Sequence, residues 1–128
     1  MLKRKIEEKI YEWIRNDERA LLLYGVRQAG KTYIIRHCLE SEGCSYVEFN
    51  LIREPDIVAI LKNATDVDDL ILKLSLYSDK KIIPGETFLF FDEIQKYKEI
   101  VTKIKFLVED RRYRYILSGS LLGVEIVN

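Results

Sequence analysis

Cysteine is scarce in this chain of 128 residues: Cys38 and Cys44 are the two present, one on either side of Gly43. Their spacing fits neither a C-x-x-C redox pair nor half of a four-ligand metal site, so no disulfide framework or cysteine metal centre is expected. The single histidine, His37, has no ligand set near it in sequence and reads as a surface or partly packed residue. Net charge is missing too. Lys+Arg and Asp+Glu both number 21, giving a formal charge of +0 and a pI near 6.6. Charge therefore lends no support to a nucleic-acid partner. No apolar run reaches the ~18 residues of a membrane span, and MLKRKIEEKI is charged where a signal peptide has its apolar core. A cytoplasmic protein without a transmembrane segment is expected. The chain also has no repeat, no low-complexity tract and no N/T-K-x-D guanine signature.

Hydrophobic residues make up 48% and charged residues 33% of the chain, enough to fill one core and solvate the surface around it. A single domain over 1–128 is expected, with an N-terminal helix over 1–18 and a sheet with its helices over 19–128. Leu2, Ile6, Ile10, Trp13 and Ile14 recur at helical spacing, so residues 2–16 read as an amphipathic helix beside the first strand. Trp13 on that stripe reads as core, although it and Tyr11 precede the first strand closely enough to approach a bound base.

Ala20 to Tyr24 read as the first strand, and a helix from Lys31 to about Glu40 ends where Gly43 can serve as a C-terminal cap. Ser45 to Leu51 alternate in polarity, as expected of a second strand near a sheet edge. Pro55 opens a short helix through Leu61, and Thr65 is a candidate cap for another bearing Val67, Leu70, Ile71, Leu74 and Tyr77. After the Pro84-Gly85 turn, Thr87 to Phe91 are apolar without alternation, the pattern of a parallel strand covered on both faces. Ile94, Tyr97, Val101, Ile104 and Val108 mark a helix face, and Tyr113 to Leu117 a fourth strand leading to Ser118-Gly119-Ser120. Strands alternating with helices imply an α/β fold built on a parallel sheet.

Chemistry enters at Gly25 to Thr32. GVRQAGKT follows an apolar run and satisfies G-x-x-x-x-G-K-[ST] at every specified position. Glycines there let successive backbone N–H groups face the phosphates of a nucleoside triphosphate, Lys31 neutralises the β and γ oxygens, and Thr32 offers a hydroxyl to Mg²⁺. Gly25, Gln28, Ala29, Gly30, Lys31, Thr32 and Tyr33 are the candidate nucleotide-binding residues. Arg27 and Gln28 can touch either phosphate or a neighbouring subunit. The third strand delivers Asp92 and Glu93 to its carboxyl end, the edge where ligands sit in open parallel sheets. One carboxylate can hold the Mg²⁺ shell (Asp92, with Thr32) while the other orients or deprotonates the attacking water (Glu93).

These segments resemble the AAA+ type ATPases of bacteria and archaea, and among them the group of predicted ATPases with an uncharacterised C-terminal domain. The likeness spans nearly the whole chain and rests on RALLLYGVRQAGKT (Arg19 to Thr32), FFDEIQ (Phe90 to Gln95) and ILSGSLLG (Ile116 to Gly123). It implies a P-loop sheet in the order 5-1-4-3-2, of which this chain would supply strands one to four as 1-4-3-2, with no fifth strand or lid. It also implies that Ser118, with Ser120 as a neighbouring candidate, senses the γ-phosphate. Asn50, at the end of the second strand, would restrain Glu93. Both serines and Asn50 are alternatively turn residues.

The pattern stops at Asn128, before the family's arginine-finger region. Arg111, Arg112 and Arg114 precede the fourth strand and read as solvated charges. An arginine finger contributes ~10³ to 10⁵ in rate, so slow hydrolysis by the isolated chain is expected. Without a fifth strand, LLLYG would lie at an open sheet edge and invite self-association. The leading function is an ATPase core using ATP and Mg²⁺. A nucleotide-binding assembly or regulatory module with little turnover is the alternative, and a GTPase or small-molecule kinase fits the adjacent carboxylates less well.

Overall fold

Apolar runs punctuated by glycine and polar turns produce an alternating β/α chain, which the computed structural model describes for residues 2–25 and 30–120. The elements are α1 (Leu2–Asn16), β1 (Leu21–Gly25), α2 (Lys31–Ser41), β2 (Tyr46–Asn50), α3 (Pro55–Asn63), α4 (Val67–Tyr77), β3 (Phe88–Asp92), a 3-10 turn (Ile94–Lys96), α5 (Ile100–Asp110) and β4 (Arg114–Ser120). The strands form one parallel sheet in the order β1-β4-β3-β2, matching the α/β arrangement expected from sequence.

Two cores cover the faces of this sheet. On one side Phe88, Phe90 and Ile116 pack with Ile10 and Trp13 of α1 and Ile34, Ile35, Cys38 and Leu39 of α2. On the other, Leu89, Phe91, Tyr115 and Leu117 meet Ile57, Leu61, Leu70, Leu74, Ile104 and Leu107 of α3, α4 and α5. The period-2 alternation along each strand assigns successive side chains to opposite layers. Burial of all five residues of β3 follows from its interior place, and the half-wet pattern of β2 follows from its place at an edge. At the other edge β1 pairs only with β4 among the described residues, leaving Leu22 and Tyr24 exposed.

Several boundaries differ from expectation for local reasons. Asp66, not Thr65, caps α4, its carboxylate accepting from the Asp69 amide at 2.8 Å. Ile94 and Tyr97 are buried on and beside the 3-10 turn and do not begin α5. Glu93, left-handed at φ 57°, ψ 45°, separates that turn from β3. β4 runs on through Ser120, pairing Ser118 with Leu23 and Ser120 with Gly25, so both serines are strand residues. Gly43, at φ 69°, follows the end of α2 as expected, its left-handed backbone suiting glycine.

Arg114 is the clearest correction. Far from being solvated, its guanidinium lies 4.7 Å from the Trp13 ring centre and 5.0 Å from that of Phe88. It donates to the carbonyls of Trp13 (3.1 Å), Ile14 (3.4 Å) and Asp17 at and just after the end of α1, sharing that of Trp13 with the Asp17 amide. Arg112 is also engaged, in ion pairs with Asp110 at 2.8 Å and Asp68 at 2.5 Å.

Candidate functional site

The carboxyl ends of β1, β3 and β4 converge on the first turn of α2. Gly30, at φ 128°, precedes that helix, in a backbone conformation that side-chain-bearing residues rarely adopt. As the N-cap it offers no side chain to the helix, so the amides of the first turn keep their capacity to bind an acceptor. These amides, with the positive end of the helix dipole, suit an anion.

Lys31 and Thr32 reach back across the sheet from this turn. The Lys31 ammonium donates to the Gly119 carbonyl at 2.6 Å, to the Gly25 carbonyl at 3.3 Å and to Ser120 Oγ at 3.4 Å. Burial lowers its pKa, opposed by the negative charges of Asp92 and Glu93. Thr32 Oγ1 donates to Asp92 Oδ2 at 2.6 Å. Asp92, 6% exposed, also accepts from the Glu93 amide at 2.9 Å through Oδ1. Its pKa is raised, chiefly by burial and further by the nearby Glu93 and Glu48, while the hydrogen bonds from Thr32 and Glu93 pull the other way. A buried carboxylate resisting ionisation is a site that a cation would stabilise.

Glu93 follows Asp92 directly, and its Oε1 accepts from Gln95 Nε2 at 3.3 Å. Gln95 Oε1 in turn accepts from the Ser120 amide at 3.1 Å. Neither link follows from the sequence, where Gln95 is the last residue of FFDEIQ. The only sequence signal was its place two residues after the paired carboxylates.

The remaining candidates divide. Ser120 Oγ lies at Lys31, whereas Ser118 Oγ is buried without a hydrogen-bond partner among the described residues. Strand alternation sets Ile116, Ser118 and Ser120 on one face, and Ile116 marks it as the face covered by α2. Asn50 pairs in register with Asp92, but its Oδ1 accepts from the amides of Ile52 and Arg53, both at 3.0 Å, which is its turn-forming role. The structure shows no bond from Asn50 to Glu93. Tyr33 is exposed, stacked near His37 with Lys3 over its ring at 5.5 Å. Gln28 and Ala29, with Arg27, lie outside the described residues, as does the chain after Ser120.

The parallel order β1-β4-β3-β2, with a Gly-Lys-Thr turn entering α2 and a carboxylate pair leaving β3, brings the two motifs within one hydrogen bond of each other. The AAA domain family model matches residues 17–125. The chain belongs to the AAA domain family. As an AAA domain it has the P-loop ATPase fold and is an ATPase-like nucleotide-binding module. No curated protein matches it. Among solved structures, C. elegans PCH-2 is similar at 18% sequence identity and a TM-score of 0.49, over 97% of this chain and 37% of that one. The AAA domain therefore spans little more than a third of the length of that relative. No helix among the described residues is long and apolar enough to cross a membrane.

Proposed function

We propose that this AAA domain binds ATP and hydrolyses its terminal phosphate in a Mg²⁺-dependent reaction, slowly as an isolated chain. The observation that carries the reading is the 2.6 Å bond between Thr32 and Asp92, which joins the phosphate-loop and β3 motifs into one polar cluster. Gly25 to Thr32, with the Tyr33 amide, would cradle the triphosphate, and Lys31 would exchange its carbonyl partners for phosphate oxygens. Thr32 and Asp92 fit Mg²⁺, a cation that takes one or two protein oxygens and fills its shell with phosphate and water. Bound there, the ion would neutralise charge developing on the phosphates. Glu93, beside Asp92 but bonded through a different neighbour, is the group available to orient and deprotonate water.

Ser120, lying at Lys31, joins Ser118 as a candidate γ-phosphate sensor, and Asn50 keeps a supporting place at the β2 end. Arg112 and Arg114 are held by Asp68, Asp110 and α1, which supports slow turnover without an arginine from elsewhere. The edge of β1 left unpaired among the described residues supports self-association through strand pairing. The cytoplasm, where Mg·ATP is available, is the compartment this reading requires.

Titration calorimetry with Mg·ATP tests the binding step. The folded chain should give saturable heat, and Lys31→Ala should weaken affinity at least tenfold. Absence of heat with the native chain refutes the reading. Phosphate release in a single-turnover experiment tests the chemistry, because Glu93→Gln should retain affinity within a few-fold and abolish release. If the native chain binds but releases no phosphate, the module is a nucleotide-responsive switch and not a hydrolase.

A further inference from the structure

One peptide unit lies between Lys31 and Gln95. The carbonyl of Gly119 accepts the Lys31 ammonium at 2.6 Å, and the amide of the same peptide, the Ser120 N–H, donates to Gln95 Oε1 at 3.1 Å. Gln95 then donates from Nε2 to Glu93 Oε1 at 3.3 Å. The orientation of this side-chain amide follows from its neighbours: a backbone N–H can only donate and an ionised carboxylate can only accept, so oxygen faces Ser120 and nitrogen faces Glu93. The contact is close because position 119 is glycine. A Cβ there would lie 2.8 Å from Ile94 Cγ1 and 3.0 Å from Gln95 Oε1, so any larger residue would push the 3-10 turn off β4.

We propose that Gln95 is a positioning residue that transmits the position of Lys31 to the Glu93 carboxylate through the Gly119–Ser120 peptide. The proposal rests on the reading that Lys31 meets the triphosphate and Glu93 the water. An ammonium on a carbonyl polarises the peptide and strengthens donation from its N–H, since hydrogen bonds in series reinforce one another. When Lys31 moves to a phosphate, the Gly119 carbonyl loses that charge and the Ser120–Gln95 bond weakens. The Gln95 amide then holds Glu93 less firmly. Glu93 has a left-handed backbone directly before the 3-10 turn, so a change in its one side-chain bond among the described residues alters where its carboxylate points. Asn50, whose Oδ1 is occupied by the β2 turn, has no part in this link.

NMR of the 128-residue chain, free of nucleotide, reads each step separately. Lys31→Met removes the ammonium. The Ser120 amide proton should then move upfield, and the Gln95 side-chain amide and Glu93 carboxyl carbon should shift with it, each by more than the reference amides of Phe49 and Leu107. In a Gln95→Glu background the acceptor for Ser120 remains but the donor to Glu93 is gone. There Ser120 should still respond to Lys31→Met, and Glu93 should lose at least half of its response. Gln95→Ala, which removes both arms, should also silence Glu93, and it is the second variant if the glutamate distorts the turn. The proposal is overturned if Ser120 and Gln95 stay unmoved in Lys31→Met, or if Glu93 responds equally with and without the Gln95 amide, which would mean that it feels the lysine charge through space. Calorimetry on the same samples separates the two readings. Mg·ATP heat with a silent NMR cycle sinks the link alone, whereas an active cycle without Mg·ATP heat keeps the link and removes the triphosphate as its trigger.

Discussion

Thr32 donates its hydroxyl to Asp92 across 2.6 Å, although the two lie 60 positions apart in the chain. The bond ties the first turn of α2 to the end of β3, and it holds a buried carboxylate that otherwise accepts only from the neighbouring Glu93 amide among the described residues. Thr32→Val keeps the shape of the side chain and removes the donor. A hydrogen bond to a charged group is worth about 1.5–3 kcal/mol, so urea denaturation of the Mg²⁺-free chain should show a loss of that size. The same substitution should abolish any Mg²⁺-dependent gain in nucleotide affinity, because the hydroxyl is one of the two proposed ligands.

Asp92 itself gives a pH dependence with a definite sign. Burial raises its pKa, so the folded chain keeps this proton at pH values where the unfolded chain, titrating near ~3.9, has lost it. Through the window between those two pKa values the folded state binds more protons, and its stability falls as pH rises. Above the window the full penalty of an ionised buried carboxylate persists. Asp92→Asn removes the titration, so without Mg²⁺ its stability relative to the native chain should grow with pH and then level off. Asp110, held low by Arg112, titrates in both chains and cancels in the difference. Urea titrations in EDTA at several pH values measure it. A difference that shrinks with rising pH would mean that the bonds from Thr32 and Glu93 outweigh burial.

The parts of the fold that were legible in the sequence are those set by near neighbours. Thr87 to Phe91 read as an interior parallel strand because the run is apolar without alternation, and Ser45 to Leu51 read as a half-wet strand because Val47 and Phe49 alternate with polar residues; the structure places these strands at Phe88–Asp92 and Tyr46–Asn50. The glycine-lysine-threonine turn is legible because its chemistry needs those residue types in that order. What escaped was decided over long range. Arg114, flanked by Tyr113 and Tyr115, carries no local sign that the rings of Trp13 and Phe88 will lie against it or that carbonyls about 100 positions away will accept from it. Gln95 becomes a link only because β4 continues far enough to bring Ser120 beside it. Thr65 and Asp66 are both competent caps by residue type, and in the structure Asp66 accepts from the Asp69 amide while the Thr65 amide donates to Asp69.

Arg114 should matter more to stability than a surface arginine. It donates to carbonyls at the end of α1 and lies against two aromatic rings, and desolvated cation–π contacts and charged hydrogen bonds each contribute about 2 kcal/mol. Arg114→Ala should cost about 2–4 kcal/mol in guanidinium denaturation, where contributions overlap and do not add in full. Because Trp13 is the single tryptophan and is buried beneath this side chain, its emission should shift to longer wavelength in the same variant. Arg114→Lys should rescue little, since a point ammonium cannot reach several carbonyls and stack on a ring at once.

Gly119 provides the most local test of how the 3-10 turn is seated. Gly119→Ala places a methyl group 2.8 Å from Ile94 Cγ1, and overpacking of this kind costs about 1–3 kcal/mol because the backbone has to move. Ile94 is fully buried, so Ile94→Ala alone should cost about 2–5 kcal/mol through the cavity it leaves. The two changes occupy the same space. In the double variant the new methyl enters the space that the isoleucine vacated, and the combined loss should fall short of the sum of the singles by about 0.5–3 kcal/mol. Strict additivity in thermal or urea unfolding would show that the turn yields freely at position 119, and that the close approach of β4 to Ile94 and Gln95 is not enforced by packing.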